Sequence, residues 1–465
     1  MLNTQFNKAK GKTGVIVFAC LLLLVTFIYQ QGTNKQDLLG LLQQGEPSAS
    51  QFEEVEGAYK SYALYNQEGA FLSYGVISSA SGYGGPITML TIVSEEGKIA
   101  NVVLLDDSET PLYLKKVLAA GYPGNFLGKT VSEPLETHED IDIVSGATRT
   151  AEGMMLAVEK GMYQVGENHL GLKVPPLKTF HAQWQDGLVV LMLALAILAS
   201  SRNMKKLRPW ILVAAVLVLG FMENASLTIA NYMSIIALKM PTFSERPIWY
   251  VMVIGVFLIT LFWGRNFYCS WLCPFGAVQE GTYRALNLAN YHPHPRLVTI
   301  ARKSRWFFLW LAALLALLLN NPGIASYEPF SVFFDADGNT SQWIIMGIIL
   351  LFSIFILRFW CRCFCPVGAF LDFTALCKRK ASAFLERKSI PPKSDEKEEI
   401  RGEEWDKMEA APGREEGCQG QCAGCPKEEA QQTSLLTSSD KILAVGIGVL
   451  WVLIIGALLQ NIGLF

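Results

Sequence analysis

Histidine is scarce in this chain: there are five in 465 residues, and none lies inside a long apolar run. That excludes a pair of haem ligands facing each other from two membrane spans. Cysteine is absent from residues 35–186, so no disulfide framework stabilises that stretch. Charged residues make up only 17%, and the formal net charge of −2 gives no basic surface for nucleic acid. Between 323 and 341 there is no Lys or Arg at all. A complete four-cysteine ferredoxin run is missing too; the nearest stretch, "GCQGQCAGCP", has three.

What the chain has instead is apolar length. Hydrophobic residues make up 51%, with charge-poor runs at 13–34, 187–201, 209–222, 248–263, 306–322, 340–357 and 442–465. A helix needs about 20 residues to cross about 30 Å of hydrocarbon, so the shorter runs must draw on polar flanks. The third must pass Glu223 and Asn224 to do so. The expected class is an α-helical polytopic membrane protein of about seven spans, in contact with lipid.

Basic residues set the orientation. Lys8, Lys10 and Lys12 precede the first run, and Arg202, Lys205, Lys206 and Arg208 separate the second from the third. The segment from Arg265 to Arg305 is basic as well. This places the N-terminus and the cysteine-rich loops in the cytoplasm, and residues 35–186 outside the inner (cytoplasmic) membrane. The first run lacks a clean small-residue cleavage site, so it reads as an uncleaved anchor rather than a signal peptide. Glu223 is costly within a span. The plain reading is a glutamate that snorkels to the outer face; the alternative joins it with "YEPF" at 327–330 near a quinone or where the outer domain docks.

Residues 82–150 read as an α/β unit. "GYGGPITMLTIV" is a glycine turn and a period-2 strand, and "EEGKIANVVLL" is a hairpin turn and a second strand. "ETPLYLKKVLAAGY" has Pro at a helix start and Gly near its end. "DIDIVSGATRTAEGMMLAVEKGMYQ" is a short strand, a small-residue turn and a helix, whose N-terminus can stabilise a phosphate.

The cysteines follow a different logic. Cys20 lies in the first run, and the other nine of the ten fall on the expected cytoplasmic side. "FYCSWLCPFGA" at 267–277 and "FWCRCFCPVGA" at 359–369 repeat one Cys-x-x-x-Cys-Pro hook at the end of an apolar run. Arg208 and Arg305 each open the preceding helical hairpin, and Arg265 and Arg358 precede the cysteines at nearly the same offset. The hairpin is therefore duplicated, and its two ends can meet. Cys269, Cys273, Cys361 and Cys365 offer the four thiolates that a 4Fe–4S cluster takes. Cys363, Cys418, Cys422 and Cys425 bring the set to eight, the number for two clusters. Which cysteine serves which cluster stays open. Zinc is the rival metal, but its sites favour Cys-x-x-Cys pairs. Cys377 lies in a basic stretch and reads as a bystander. The acidic–basic run 391–416 reads as a solvated linker.

Gly82–Pro86, Glu109-Thr110-Pro111 and Asp142-x-x-Ser145-Gly146-Ala147-Thr148 stand in the order of the FMN-binding domain of NqrC and RnfG subunits, which this stretch resembles. The resemblance implies that a flavin transferase esterifies FMN through its phosphate to Thr148, with Thr150 a second choice. Asp142, Glu109, Thr110, Ser145, Gly146 and Ala147 then belong to the same cofactor site. Over the whole chain the order of domains is similar to the NosR/NirI membrane flavoproteins, and the helical half to NapH-type quinol dehydrogenase subunits. The expected layout is an anchor (1–34), an outer FMN-binding domain (35–180), a membrane domain with the two hooks (181–376), a cytoplasmic cysteine loop (377–441) and a last span (442–465). The expected function is electron transfer between a cytoplasmic donor and covalent outer FMN through two 4Fe–4S clusters. The alternatives are a redox-sensing regulator or a quinol-oxidising module that feeds an external reductase.

Overall fold

The computed structural model describes residues 14, 17–30, 38–135, 144, 146–177, 184–286, 293–336, 338, 340–389 and 438–462. Strands β1 (Gln51–Val55), β2 (Lys60–Tyr65), β3 (Phe71–Ser81), β4 (Pro86–Ser94) and β5 (Ile99–Asp107) form one antiparallel sheet in sequence order. The turn between β4 and β5 depends on Gly97, whose φ of 77° suits a residue without Cβ. Its N–H donates to Ser94 O at 2.9 Å. The sheet starts well upstream of the residue-82 boundary read from sequence. The unread signal was the turn at Asn66, whose side chain accepts from the N–H groups of Glu68 and Ala70 at 2.9 and 2.8 Å.

Helix α1 (Val17–Gln30) precedes the sheet in the chain and meets the helical half at Trp310, while α2 (Leu38–Gly45), α3 (Pro111–Ala119) and α4 (Thr148–Asn168) pack with the sheet. Helix α4 crosses β3 and β4 and buries Ala151, Met154, Val158, Met162 and Val165 against Val76, Ile87 and Met89. Each of the valines, methionines and the isoleucine contributes roughly 1.5–3 kcal/mol by leaving water. The approach is close because Gly153 has no side chain: a Cβ there would stand 2.8 Å from Gly82 Cα. Helix α2 covers the other face through Leu42, which packs with Leu64, Leu90 and Ile92.

The helical half follows, with α5 (Trp184–Ser201) and α6 (Arg208–Ala215), which widens into a π-helical stretch, Val216–Met222. Then come α7 (Ile229–Ile236), α8 (Pro247–Trp263), α9 (Phe267–Trp271), α10 (Pro274–Leu286) and α11 (Pro295–Leu318). Last are α12 (Phe330–Phe334), α13 (Thr340–Phe355), α14 (Phe359–Cys363), α15 (Pro366–Ser389) and α16 (Ser438–Asn461). The third apolar run does not continue through Glu223 and Asn224, as its length required. The helix stops at Met222, and Asn224 takes a left-handed φ of 43°. Glu223 has an ion-pair partner at that break, which removes the cost of carrying it inside a span.

Among the described residues, Trp184–Ser201 and Ser439–Gln460 are long and apolar enough to cross a membrane, and four further apolar helices are shorter. Their outward faces are apolar: Trp210 is 74% exposed, Phe262 70% and Val452 71%. Apolar exposure on this scale marks a surface that meets something other than water.

Candidate functional site

The two hooks fold alike. Cys273 and Cys365 each precede a helix, and their carbonyls accept the N–H of Ala277 at 3.0 Å and of Ala369 at 3.2 Å. Pro274 and Pro366 take the first helical position, where a missing N–H costs nothing. Gly276 N–H then donates to Cys273 Sγ, and Gly368 N–H to Cys365 Sγ, both at 3.3 Å. Each thiol therefore sits at the positive end of a helix, which favours thiolate and any anionic cluster bound to it.

The hooks also lock each other. Glu280 and Asp372 both stand seven residues after the second cysteine of their hook. Glu280 accepts from Arg208 through both oxygens, at 2.8 and 2.7 Å, and from Arg358 Nε at 3.0 Å. Asp372 accepts from Arg305 at 2.8 Å and from Asn266 at 3.0 Å. Arg358 and Asn266 each stand three residues before the first cysteine of the other hook. Each carboxylate is thus held by the arginine that opens its own hairpin and by the opposite hook. Asn266, not Arg265, is the register partner of Arg358; the Arg265 guanidinium lies 6.0 Å over the Trp263 ring.

Four thiols converge as a result. A Cβ on Gly276 would stand 3.4 Å from Cys273 Sγ and 3.7 Å from Cys361 Sγ, so glycine keeps open the space between the hooks. Gln279 Nε2 donates to Cys361 Sγ at 3.5 Å, and a Cβ on Gly368 would stand 3.5 Å from Cys361 O and 3.6 Å from Cys365 Sγ. Among the described residues no three of His, Cys, Asp and Glu close round a single ion. A four-iron cube is larger than an ion and takes its thiolates from a wider shell. The donor set fits a 4Fe–4S cluster. Cys363 is buried but faces elsewhere, lining a small cavity with Arg302, Arg362 and Pro293. Cys418, Cys422 and Cys425 lie outside the described residues, as do Asp142 and Ser145.

The loops between the hairpin helices reach the hooks from the other side. Leu227 N–H donates to Tyr268 OH at 3.0 Å, and Tyr327 OH donates to Phe364 O at 3.0 Å. Phe330 packs on Phe275 with ring centres 5.2 Å apart. The two loops touch as well, Ile229 N–H donating to Glu328 Oε1 at 2.9 Å.

The sheet domain sits on these loops. Asn321 donates to Asp107 at 2.9 Å, Lys239 to Asp106 at 2.9 Å, Glu245 accepts from Ser81 N–H at 2.8 Å, and Lys160 also pairs with Glu245. Arg149 donates to Glu223 at 3.2 Å. Thr148 opens α4 and is exposed, between Gly146, at φ 77°, and the Glu223 turn. It lines a cavity of about 270 Å³ with Tyr83, Tyr113, Phe221 and Met222. Thr150 is fully buried and donates to Glu109 Oε2 at 3.0 Å.

Glu109 ties its own motif to the Gly82–Pro86 turn and to Thr150 on α4. It also accepts from Gly84 N–H at 3.1 Å, and a Cβ on Gly82 would collide with its carboxylate. Burial raises its pKa to about 7, against the pull of those donors. Burial also lowers the Arg246 guanidinium to about 10, with Arg149 beside it adding like-charge repulsion. Thr110 precedes α3 and lines a second cavity of about 490 Å³ with Arg149, Glu223 and Arg246.

Sequence reading missed Glu280, Asp372, Asn266, Gln279, Tyr268 and Arg149. Aligning the two hooks beyond Gly-Ala would have exposed the Glu280–Asp372 match, because the offset is the same. Nothing local marks Tyr268 or Arg149, whose partners lie 41 and 74 residues away.

Comparison with known proteins matches the two regions that carry these sites. An FMN-binding domain family matches residues 82–162, and a 4Fe-4S binding domain family matches 245–289 and 341–383. The regulatory protein NosR of Pseudomonas aeruginosa is 26% identical over 243 residues, 47% of this chain and 33% of that protein. The protein NirI of Paracoccus denitrificans is 29% identical over 189 residues, 37% of this chain and 27% of its own length. One component of the proton-translocating ferredoxin:NAD(+) oxidoreductase complex of Clostridium ljungdahlii is 28% identical over 123 residues, 25% of this chain and 65% of that component. The chain thus spans a quarter to a third of the length of NosR and NirI.

Proposed function

We propose that this chain, a flavo-iron–sulfur protein similar to NosR and NirI, carries electrons across the inner membrane between a cytoplasmic donor and FMN esterified to Thr148 on the outer side. One observation carries the reading: each cysteine hook meets one of two inward-folded, mutually bonded loops, and the flavin-attachment helix meets the start of the first at Glu223. The exposed hydroxyl of Thr148 suits attachment by a flavin transferase, and the buried, bonded hydroxyl of Thr150 does not. Gly146 and Ala147 leave room before the helix, and Glu109 and Thr110 hold the neighbouring loops. Asp142 and Ser145 complete the motif.

Cys269, Cys273, Cys361 and Cys365 hold one 4Fe–4S cluster. Cys363, which faces away, joins Cys418, Cys422 and Cys425 on the second. A cluster supplies one-electron transfer, and bound FMN can exchange electrons singly or in pairs. The chain's own part is to hold these groups in fixed order, with Glu280 and Asp372 fixing the hooks. The seven apolar runs, centred on α1, α5, α6, α8, α11, α13 and α16, are the spans. The outer domain (35–180), the hook-bearing membrane domain (181–376) and the cytoplasmic loop (377–441) follow from that layout. An external reductase or a quinone takes the electrons.

A second reading follows from the name of NosR, a regulatory protein: the cofactors report redox state instead of carrying current. Turnover separates the two. Protein coexpressed with a flavin transferase and purified anaerobically is expected to hold about eight iron and eight acid-labile sulfide per chain. In sealed vesicles, a reductant on the cytoplasmic side should reduce the flavin repeatedly as an outer acceptor reoxidises it. Cys273→Ser should lose iron and slow that reduction while keeping FMN. Zinc without acid-labile sulfide would overturn the proposal.

A further inference from the structure

The cavity beside Thr148 belongs to neither half alone. Tyr83 and Tyr113 of the sheet domain form one wall, edge to face with centroids 5.0 Å apart. Phe221, Met222 and Glu223 of the helical half form another. The cavity of about 490 Å³ adjoins it and shares Tyr83, Arg149, Glu223 and Asn224. Organic ligands occupy clefts of roughly 300–1,000 Å³, mostly apolar with a few placed polar groups. The two cavities together reach that size, with a lining that is about half polar.

Asn224 holds its left-handed turn with its amide nitrogen on Asp335, and the tyrosine edges offer walls to a flat heterocycle. Arg149 and Arg246 also border the seam and can donate to the oxygen-bearing edge of a ring, beside the carboxylates of Glu152 and Glu223.

We infer that the isoalloxazine ring of the FMN held at Thr148 is seated in this seam, against the Phe221–Asn224 turn of the helical half. The inference rests on the attachment proposed above. The seat also shortens the route to the cysteines. Asn224 and Leu227 are three residues apart, at most about 11 Å along the chain. Leu227 N–H meets the hydroxyl of Tyr268, the residue before Cys269. The hydrocarbon thickness therefore does not separate ring from hook.

The test uses the full chain, flavinylated and purified, with fluorescence read native and then on a denaturing gel. Met222→Trp puts an indole into the seam, where stacking on the ring should lower native flavin fluorescence about threefold or more relative to the parent. Leu127→Trp, at an exposed site on the sheet domain, should leave it unchanged. Denaturation should restore equal gel fluorescence in all three. Glu223→Gln gives a second reading that needs no new bulk: loss of the adjacent negative charge should raise the flavin midpoint potential. Equal native fluorescence and an unshifted potential, with gel fluorescence intact, would overturn the seat and leave the attachment standing. A parent chain dark on the gel would overturn the attachment, and the seat with it.

Discussion

Thr148 and Thr150 stand two positions apart on one helix and face opposite ways. Thr148→Val should abolish in-gel flavin fluorescence and the FMN mass increment of the intact protein. Thr150→Val should keep both, but should destabilise the sheet domain by about 1–3 kcal/mol, because Glu109 loses a buried donor. Glu109 adds a pH dependence. Its folded pKa is raised to about 7 from the ordinary 4.5. Between those values the folded chain holds a proton that the unfolded chain has lost, so stability falls as pH rises through that window. Thermal unfolding in detergent across the window should show this fall, and Glu109→Gln should flatten it. A stability that rises over the same range would show that the donors around Glu109 outweigh its burial.

At the scale of elements, the hook is a short helix, a cysteine at a helix start and a glycine whose N–H meets sulfur. Two hooks make one site only because their flanks are tied crosswise. Glu280 is buried among Arg208, Arg284 and Arg358, so removing it leaves positive charge unmatched. Glu280→Ala should cost about 3–5 kcal/mol, as expected when one partner of a buried pair is deleted. Iron content should fall with it while gel flavin fluorescence stays. Arg358 takes a left-handed φ of 55°, a conformation that the surrounding bonds must hold. Arg358→Ala is therefore expected to lower bound iron as Glu280→Ala does, although Arg358 lies in the other hook. Unchanged iron in both variants would show that the hooks hold their geometry without the crossed ties.

The whole molecule joins a sheet domain to a helical half through ion pairs and hydrogen bonds on one face. Lipid contact and sidedness make a checkable pattern. A membrane-impermeant thiol reagent on intact spheroplasts should label Leu127→Cys in the sheet domain. It should not label native Cys377, which is exposed on α15. Labelling of Cys377 with protection at 127 would invert the orientation.

Much of this was legible in the chain itself. Period-2 strands, a Pro-started helix and the Gly82–Thr148 motifs are local patterns, set by backbone sterics and side-chain alternation, so sequence alone places β4, β5, α3 and α4. The hooks are legible for the same reason, because ligand spacing and a following proline are properties of adjacent residues. Tertiary structure decided the rest. Only packing turns Thr150 inward and Thr148 outward, stops the third apolar helix at Glu223, and brings Asp372 and Glu280 to the opposite hooks. Only packing folds the 225–236 and 322–334 loops down onto Tyr268 and Phe364. These contacts join residues tens to hundreds of positions apart. Their energy comes from burial and charge pairing in the assembled molecule, which no local stretch of sequence records.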